Sequence, residues 1–218
     1  ELSIKIADAR PHARILGLDI SPDLIAAATE RGDNRPNLNF AVADASNWQD
    51  TAFLPDLYVS RHGVMFFDDP VAAFHNLATS ASENAQLIFS CFRSPSENAW
   101  ATKIAALVPS APSGDPHAPG PFAIADQGRV EGILTAANWN DIAFESVNFD
   151  YVAGDGEDPV ADALDFFGHI GPAARAIRML EGESRAAFMN SLRHLAETHL
   201  HDGAVRFSAA AWIVTANK

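Results

Sequence analysis

Short apolar runs along the chain alternate with longer stretches in which apolar residues recur every three or four positions. A buried strand reads as a near-continuous apolar run, and an amphipathic helix as a repeat close to 3.6 residues. Ile15, Leu16 and Leu18 form the first such run, with Gly17 inside it and Asp19 ending it. Ser21 suits an N-cap and Pro22 the first helical position, where a missing N–H is harmless. Leu24, Ile25 and Ala28 then share a helical face, and Gly32 is positioned to stop the helix as a C′ residue. The pattern predicts strands at 14–19, 38–43, 56–61 and 86–92, and helices at 2–10 and 22–31. A third helix follows Asp69 and Pro70, carrying Val71, Phe74 and Leu77. Trp48 to Pro55 reads as a loop, and so does His62 to Asp68, with VMFF at its centre. Strands alternating with helices of this length imply βαβ units and a parallel sheet.

Beyond Phe92 the rhythm changes. Residues 94–108 read as a helix with Trp100, Ile104 and Leu107 on one side. Pro109 to Pro121 holds five prolines and two glycines, which suits an irregular loop. Asp126 caps a helix carrying Val130, Ile133 and Leu134, and residues 142–151 alternate like a strand with one solvated face. Asp158 and Pro159 open two helices, near 160–180 and 184–200, the second with Phe188, Leu192 and Leu195 at helical spacing. Residues 205–215 form a closing strand. The organisation expected is one domain, 1–218, with cap insertions at 94–125 and 158–201.

Of the 218 residues, 48% are hydrophobic, so a sizeable core is feasible, and the net charge is −13. Phosphate binding needs clustered Lys and Arg, so the acidic balance argues against nucleic acid as a partner. The one cysteine, Cys91, leaves no internal disulfide and fits a reducing cytoplasm. No apolar run approaches the ~20 residues that span a bilayer, and no secretory signal is visible. Membrane and export are therefore not expected, and a cytoplasmic location is.

A carboxylate at the carboxyl end of a parallel strand sits where open α/β sheets bind ligands. The two oxygens of Asp19 can accept both hydroxyls of a ribose, which points to a nucleoside cofactor. Asp44, just past the next strand, is either a second ligand to that cofactor or the cap of a short turn. Ser60 lacks a G-x-S-x-G elbow, so it is not read as a hydrolase nucleophile. His199 and His201 lie five and seven residues past His194, which is not the i, i+4 spacing that puts two ligands on one helix face. No metal site is expected.

LGLDISPDLIAAA, FAVADAS, SRHGVMFFDDP and the Pro-rich segment ending GPFAIAD, in that order, resemble the small-molecule branch of the class I S-adenosylmethionine-dependent methyltransferases. That resemblance implies a Rossmann-like, doubly wound, mostly parallel sheet with an antiparallel last strand and a helical cap. It implies S-adenosylmethionine as cofactor, with Asp19 on the ribose, Ile20 on the adenine, and Asp44 with Ala45 at the adenine amine. Ser60 and Arg61 then lie beside the methionine end and the methyl group. Trp48 either covers the adenine face or closes the core. His62 is either a general base toward a hydroxyl or amine, since imidazole titrates near neutrality, or a loop histidine with a backbone bond. The family's first motif, a Gly-rich loop, is not found in these residues, and the expectation is that it and the first strand precede Glu1.

The activity implied is in-line methyl transfer to a small molecule. An activated sulfonium methyl needs mainly an aligned nucleophile and exclusion of water, so no obligatory catalytic acid or metal is expected. Two other readings stay open: an NAD(P)-dependent oxidoreductase, and a non-catalytic binding module with this fold. No Tyr-x-x-x-Lys pair supports the first. The acceptor and the oligomeric state are not legible.

Overall fold

The computed structural model of the chain describes residues 1–108, 115–169 and 171–218. In order it contains α1 (Leu2–Ala9), β1 (Ile15–Asp19), α2 (Pro22–Gly32), β2 (Leu38–Val42), β3 (Leu57–Arg61), α3 (Pro70–Ser80), β4 (Gln86–Phe92) and α4 (Ala99–Leu107). It continues with α5 (Gln127–Ala136), β5 (Asn140–Gly154), α6 (Pro159–His169), α7 (Gly171–Met179), α8 (Gly182–Thr198), β6 (Leu200–His201) and β7 (Ala204–Asn217).

The helix starts follow from local chemistry. Ser21 accepts from the Leu24 N–H at 3.3 Å, Asp69 from Ala72 at 3.0 Å, Asp126 from Arg129 at 2.7 Å and Asp158 from Ala161 at 3.0 Å. Each side-chain oxygen satisfies an amide that the helix itself leaves without a partner.

Gly32 has a different job from the one its place in the sequence suggests. It is the last residue of α2 and is buried. A Cβ there would lie 2.7 Å from the Phe40 ring, and one at Gly17 would lie 2.6 Å from the same ring. Phe40 of β2 is thus clamped between two glycines, one on β1 and one on α2.

β1 and β2 pair in parallel, Ile15 opposite Leu38 through Asp19 opposite Val42. β3 and β4 also pair in parallel. β7 runs antiparallel between β4 and β5, and β6 pairs with it. The order is therefore β1-β2 in one piece and β3-β4-β7-β5 in the other. The expected direction of the last strand is found, but the parallel part of the sheet is interrupted. Among the described residues, β1 and β3 each keep one edge without a strand partner.

Four local expectations are corrected. The 62–68 loop contains a 3₁₀ turn, Val64–Phe66. The 94–108 helix begins only at Ala99, after a 3₁₀ turn at Pro95–Glu97, because the buried Asn98 leaves the helical path. Its amide donates to the carbonyls of Arg93, Ser94 and Ala210, and its oxygen accepts from the Ala210 N–H at 3.1 Å. The 160–180 helix is two helices, since Gly171 has φ +71, a left-handed conformation that no continuous α-helix contains. The strand at 142–151 extends to Asn140–Gly154. The Pro-rich loop expected at 109–121 lies in part, at 109–114, outside the described residues.

The core sits around β4, β7 and β5. Phe74 of α3 packs on Phe89, and the Trp139 indole donates to the Phe74 carbonyl at 3.0 Å. On the opposite face, Trp100 of α4 and Phe166 and Phe167 of α6 meet Phe92, Tyr151 and Phe207. No helix among the described residues is long and apolar enough to cross a membrane.

Candidate functional site

The ends of β1 and β2 bring Asp19 and Asp44 to neighbouring positions, whereas Ser60, Arg61 and His62 stand at the end of β3 in the other piece of the sheet. Asp19 is the last residue of β1, and its carbonyl accepts from the Ala43 N–H at 2.9 Å, so β1 and β2 finish side by side. The Asp19 carboxylate accepts from the Ser21 N–H at 2.8 Å through Oδ1. Ile20 beside it is 73% exposed, an unusual position for an isoleucine between a strand and a helix. Asp44 follows β2 by two residues. Its Oδ1 accepts from the Ser46 N–H at 2.8 Å and its Oδ2 from the Asn47 amide at 3.3 Å. Hydrogen bonds from the Ser46 side chain and backbone hold its carboxyl below the usual aspartate value. Asp19 is held on its turn through Oδ1, and Asp44 on its own through both carboxylate oxygens.

Ala45 is half-buried behind Asp44. The Trp48 N–H donates to the Asp44 carbonyl at 2.9 Å, and its ring stands edge-on to Phe53 at 6.2 Å. The Trp48 carbonyl in turn accepts from Asn76 of α3, so this loop is tied to the body of the fold.

β3 brings up Ser60 and Arg61. Side chains alternate along a strand, so the half-buried Ser60 and the exposed Arg61 take opposite faces. Arg61 forms an exposed ion pair with Glu1 at 3.8 Å. His62 then adopts φ +55, a left-handed conformation that His, like Asn and Asp, takes more readily than most non-glycine residues. Its backbone N–H donates to the Ser90 carbonyl at 3.1 Å, which is the bond of an ordinary loop histidine. Its ring is less ordinary. It lies parallel to Phe92 at 4.2 Å and 13°, with Phe149 at 6.4 Å. Nδ1 is buried with no partner. Burial, helped by the nearby Arg61 charge, pushes the imidazole down to about 4, so the ring is neutral at physiological pH.

Sequence reasoning missed what surrounds this ring. Phe92 reads as a strand end and Trp100 as a helix face; the fold puts them 5.3 Å apart. Trp100 is sandwiched between Tyr151 at 5.2 Å and Phe122 at 5.6 Å, both nearly parallel to it. Trp100 Nε1 and Ser90 Oγ are, like His62 Nδ1, buried without partners. Phe149 also lines a cavity of about 550 Å³ with Glu97, Asn148, Asp150 and Ser208. The aromatics at the end of β4, on α4, at Phe122 and in β5 were the available signal, but nothing in the sequence says that the four segments converge.

The C-terminal histidines do separate jobs. His199 stacks on Phe207 at 4.3 Å, its Nδ1 bonds the Leu195 carbonyl, and its Nε2 lies 2.7 Å from Lys103 Nζ. His194 faces Glu197 instead, at 3.9 Å. Among the described residues no three His, Cys, Asp or Glu side chains are grouped to hold a metal.

Residues 2–89 match a family described as a methyltransferase domain. Malonyl-[acyl-carrier protein] O-methyltransferase 1 of Ilyobacter polytropus is 33% identical over 90 residues, which is 41% of this chain and 33% of that protein. The chain thus spans about a third of the length of that curated relative. Phosphoethanolamine N-methyltransferase 2 of Haemonchus contortus, solved in complex with S-adenosyl-L-methionine, is similar over 98% of this chain and 45% of its own, at 12% identity and a TM-score of 0.52. The [4+2]-cyclase SpnF is similar over 99% of this chain and 72% of its own, at 17% identity and a TM-score of 0.51. At these identities the two structures speak for the fold, and one fold carries unrelated chemistries. Residues 2–89 thus resemble a methyltransferase domain in sequence, and the chain shares its fold with the solved structure of a methyltransferase.

Proposed function

We propose that the protein transfers a methyl group from S-adenosylmethionine to a small-molecule acceptor. The observation that carries this reading is the pair of carboxylates on adjacent strand ends, Asp19 and Asp44, with the exposed Ile20 beside them. An exposed isoleucine flanked by two fixed anions suits a ligand with an apolar flat face and hydroxyl and amine donors at its rim. A nucleoside has that make-up. Among the described residues only the Ser21 N–H bonds to the Asp19 carboxylate, which leaves Oδ2 to accept ribose hydroxyls.

In this reading Ile20, Ala45 and Trp48 contact the adenine, Asp44 accepts from its amine, and Ser60 and Arg61 face the methionine end. When bound, S-adenosylmethionine supplies a methyl group made electrophilic by its positively charged sulfur. The chain's own residues then need to align the acceptor behind that carbon and keep water out, which by itself accounts for much of the acceleration of such reactions. His62, at the end of β3, is the side chain placed to meet the acceptor. The helices α4 and α6–α8 serve as the cap over the strand ends.

Calorimetric titration with S-adenosylhomocysteine tests the reading. Saturable binding is expected, weakened roughly a hundredfold in Asp19→Ala, because charge-assisted hydrogen bonds are lost. No binding to a chain whose circular dichroism is that of an intact fold overturns it.

A further inference from the structure

We infer that the exposed face of α7, with the start of α8, is a docking surface for an acidic partner protein. The inference does not rest on the methyltransferase reading, because it concerns the solvent side of these helices and not the strand ends.

Three observations support it. First, Arg175, Arg178, Arg185 and Arg193 are all exposed, and among the described residues none of their side chains has an ion-pair or hydrogen-bond partner. The chain holds 28 acidic against 15 basic side chains, so carboxylates are plentiful. Arg35, Arg93 and Arg206 find theirs in Asp8, Glu97 and Asp150. Second, the four unpaired cations are grouped. At 100° per residue, Arg175, Arg178 and Met179 share one face of α7, while Ala173, Ala174 and Ala176 on its other side are buried. Met179 is 68% exposed in the midst of these charges. The connection Leu180–Glu181 is short, α7 packs against α8, and Arg185 lies in the first turn of α8. Arg193 follows about 12 Å further along the same helix. Glu183, two residues before Arg185, points away from it by roughly 200° around α8. Third, residues 171–199 contain no lysine. The planar guanidinium fork meets a carboxylate at two points, and Arg and Met are enriched in protein interfaces where Lys is depleted.

Charge and shape together select the partner. A helix that lies on a membrane turns a broad apolar face outward, but α7 turns its alanines toward the protein and leaves Met179 alone outside. A nucleic acid is a long polyanion that would run past the patch onto a chain of net charge −13. A folded protein with clustered Asp and Glu needs to match only over the patch itself. Its carboxylates would take the arginines, and a small apolar spot among them would receive Met179, whose flexible thioether adapts to an irregular surface.

The test uses fluorescently labelled poly-L-glutamate as the acidic probe, followed by anisotropy. Saturable binding is expected, weakened at least roughly tenfold in Arg175→Glu/Arg178→Glu, because each reversal replaces an attraction with a repulsion. Arg10→Glu/Arg31→Glu changes the net charge equally at two exposed arginines outside the patch, and binding should stay within about twofold. Should the reversals disturb α7, Arg175→Gln/Arg178→Gln removes the charge alone and should still weaken binding roughly threefold. No binding of poly-L-glutamate, or an equal loss in the two double reversals, overturns the inference. Tighter patch-dependent binding of phosphatidylglycerol vesicles or of a single-stranded oligonucleotide overturns it too, as does self-association in sedimentation that the patch reversals abolish. Affinity for S-adenosylhomocysteine, titrated on the same variants, reports on the methyltransferase reading separately.

Discussion

The strand pair β1–β2 with α1 and α2, and the sheet β3-β4-β7-β5 with its helices, are built to different standards. Among apolar side chains before Val64, only Ala7 and Leu38 are buried. Ile20, Leu24 and Val42, on or beside these elements, are all exposed. From Val64 onward a continuous core forms, with Trp139, Phe74, Phe89, Phe207 and Leu134 almost wholly enclosed. Yet the aspartates that read most clearly as ligand-binding groups belong to the thin half, and the stacked rings of Phe92 and Phe149 to the dense one. The contrast teaches that anion-lined strand ends need little core behind them: two Asx turns and a clamped Phe40 suffice to orient Asp19 and Asp44. A stack of parallel rings needs a packed body around it.

The sharpest way to break this comparison is to remove a large side chain from the dense half. Trp139→Ala deletes a side chain only 1% exposed together with its bond to the Phe74 carbonyl. It should cost about 3–5 kcal/mol and shift the denaturation midpoint of the whole chain. A smaller loss than that of substitutions in β1 would mean that the core does not govern global stability.

Next in size is Asp19→Ala, whose expected effect of roughly a hundredfold falls on S-adenosylhomocysteine affinity and not on the denaturation midpoint. A large fall in the midpoint would show that the turn at Asp19 supports the fold as well as the ligand.

Gly17→Ala probes the thin half itself. Its methyl would meet the Phe40 ring at 2.6 Å, and that ring cannot retreat because Gly32 lies against its other edge. A cost of about 1–3 kcal/mol is expected. Hydrogen exchange should speed up at the amides of β1 and β2 and stay unchanged in β4 and β7, because the thin half opens locally. Uniform acceleration throughout would show that the two halves unfold as one.

The smallest effect is a pH dependence assigned to His62. Folded, it takes up its proton near pH 4; unfolded, near its ordinary value of 6.5. Between those values the unfolded chain binds more protons, so stability falls as pH drops from about 6.5 toward 4. His62→Phe should flatten the thermal midpoint over that interval. The lowered carboxyl of Asp44 acts only at lower pH, which keeps the two contributions apart.

The sequence by itself determined the order of elements, the helix caps at Ser21, Asp69, Asp126 and Asp158, and the strand-end position of Asp19 and Asp44. These are local matters: a capping oxygen reaches amides three residues away, and a strand's periodicity is carried by its own residues. The likeness of residues 2–89 to a methyltransferase domain, too, was legible, because its wording lies in short contiguous segments. Tertiary structure alone decided the rest. Gly32 reads as a helix stop but makes room for Phe40 of β2, eight residues further along the chain. The helix expected at 160–180 is broken by a left-handed Gly171, which the apolar period passes over without a mark. His62 reads as one loop histidine among several; only the pairing of β3 with β4 and of β7 with β5 sets its ring between Phe92 and Phe149 and leaves Nδ1 without a partner. Ring stacking, orphaned polar atoms and shared cavities are relations between segments up to a hundred residues apart, and such relations exist only once the chain has folded.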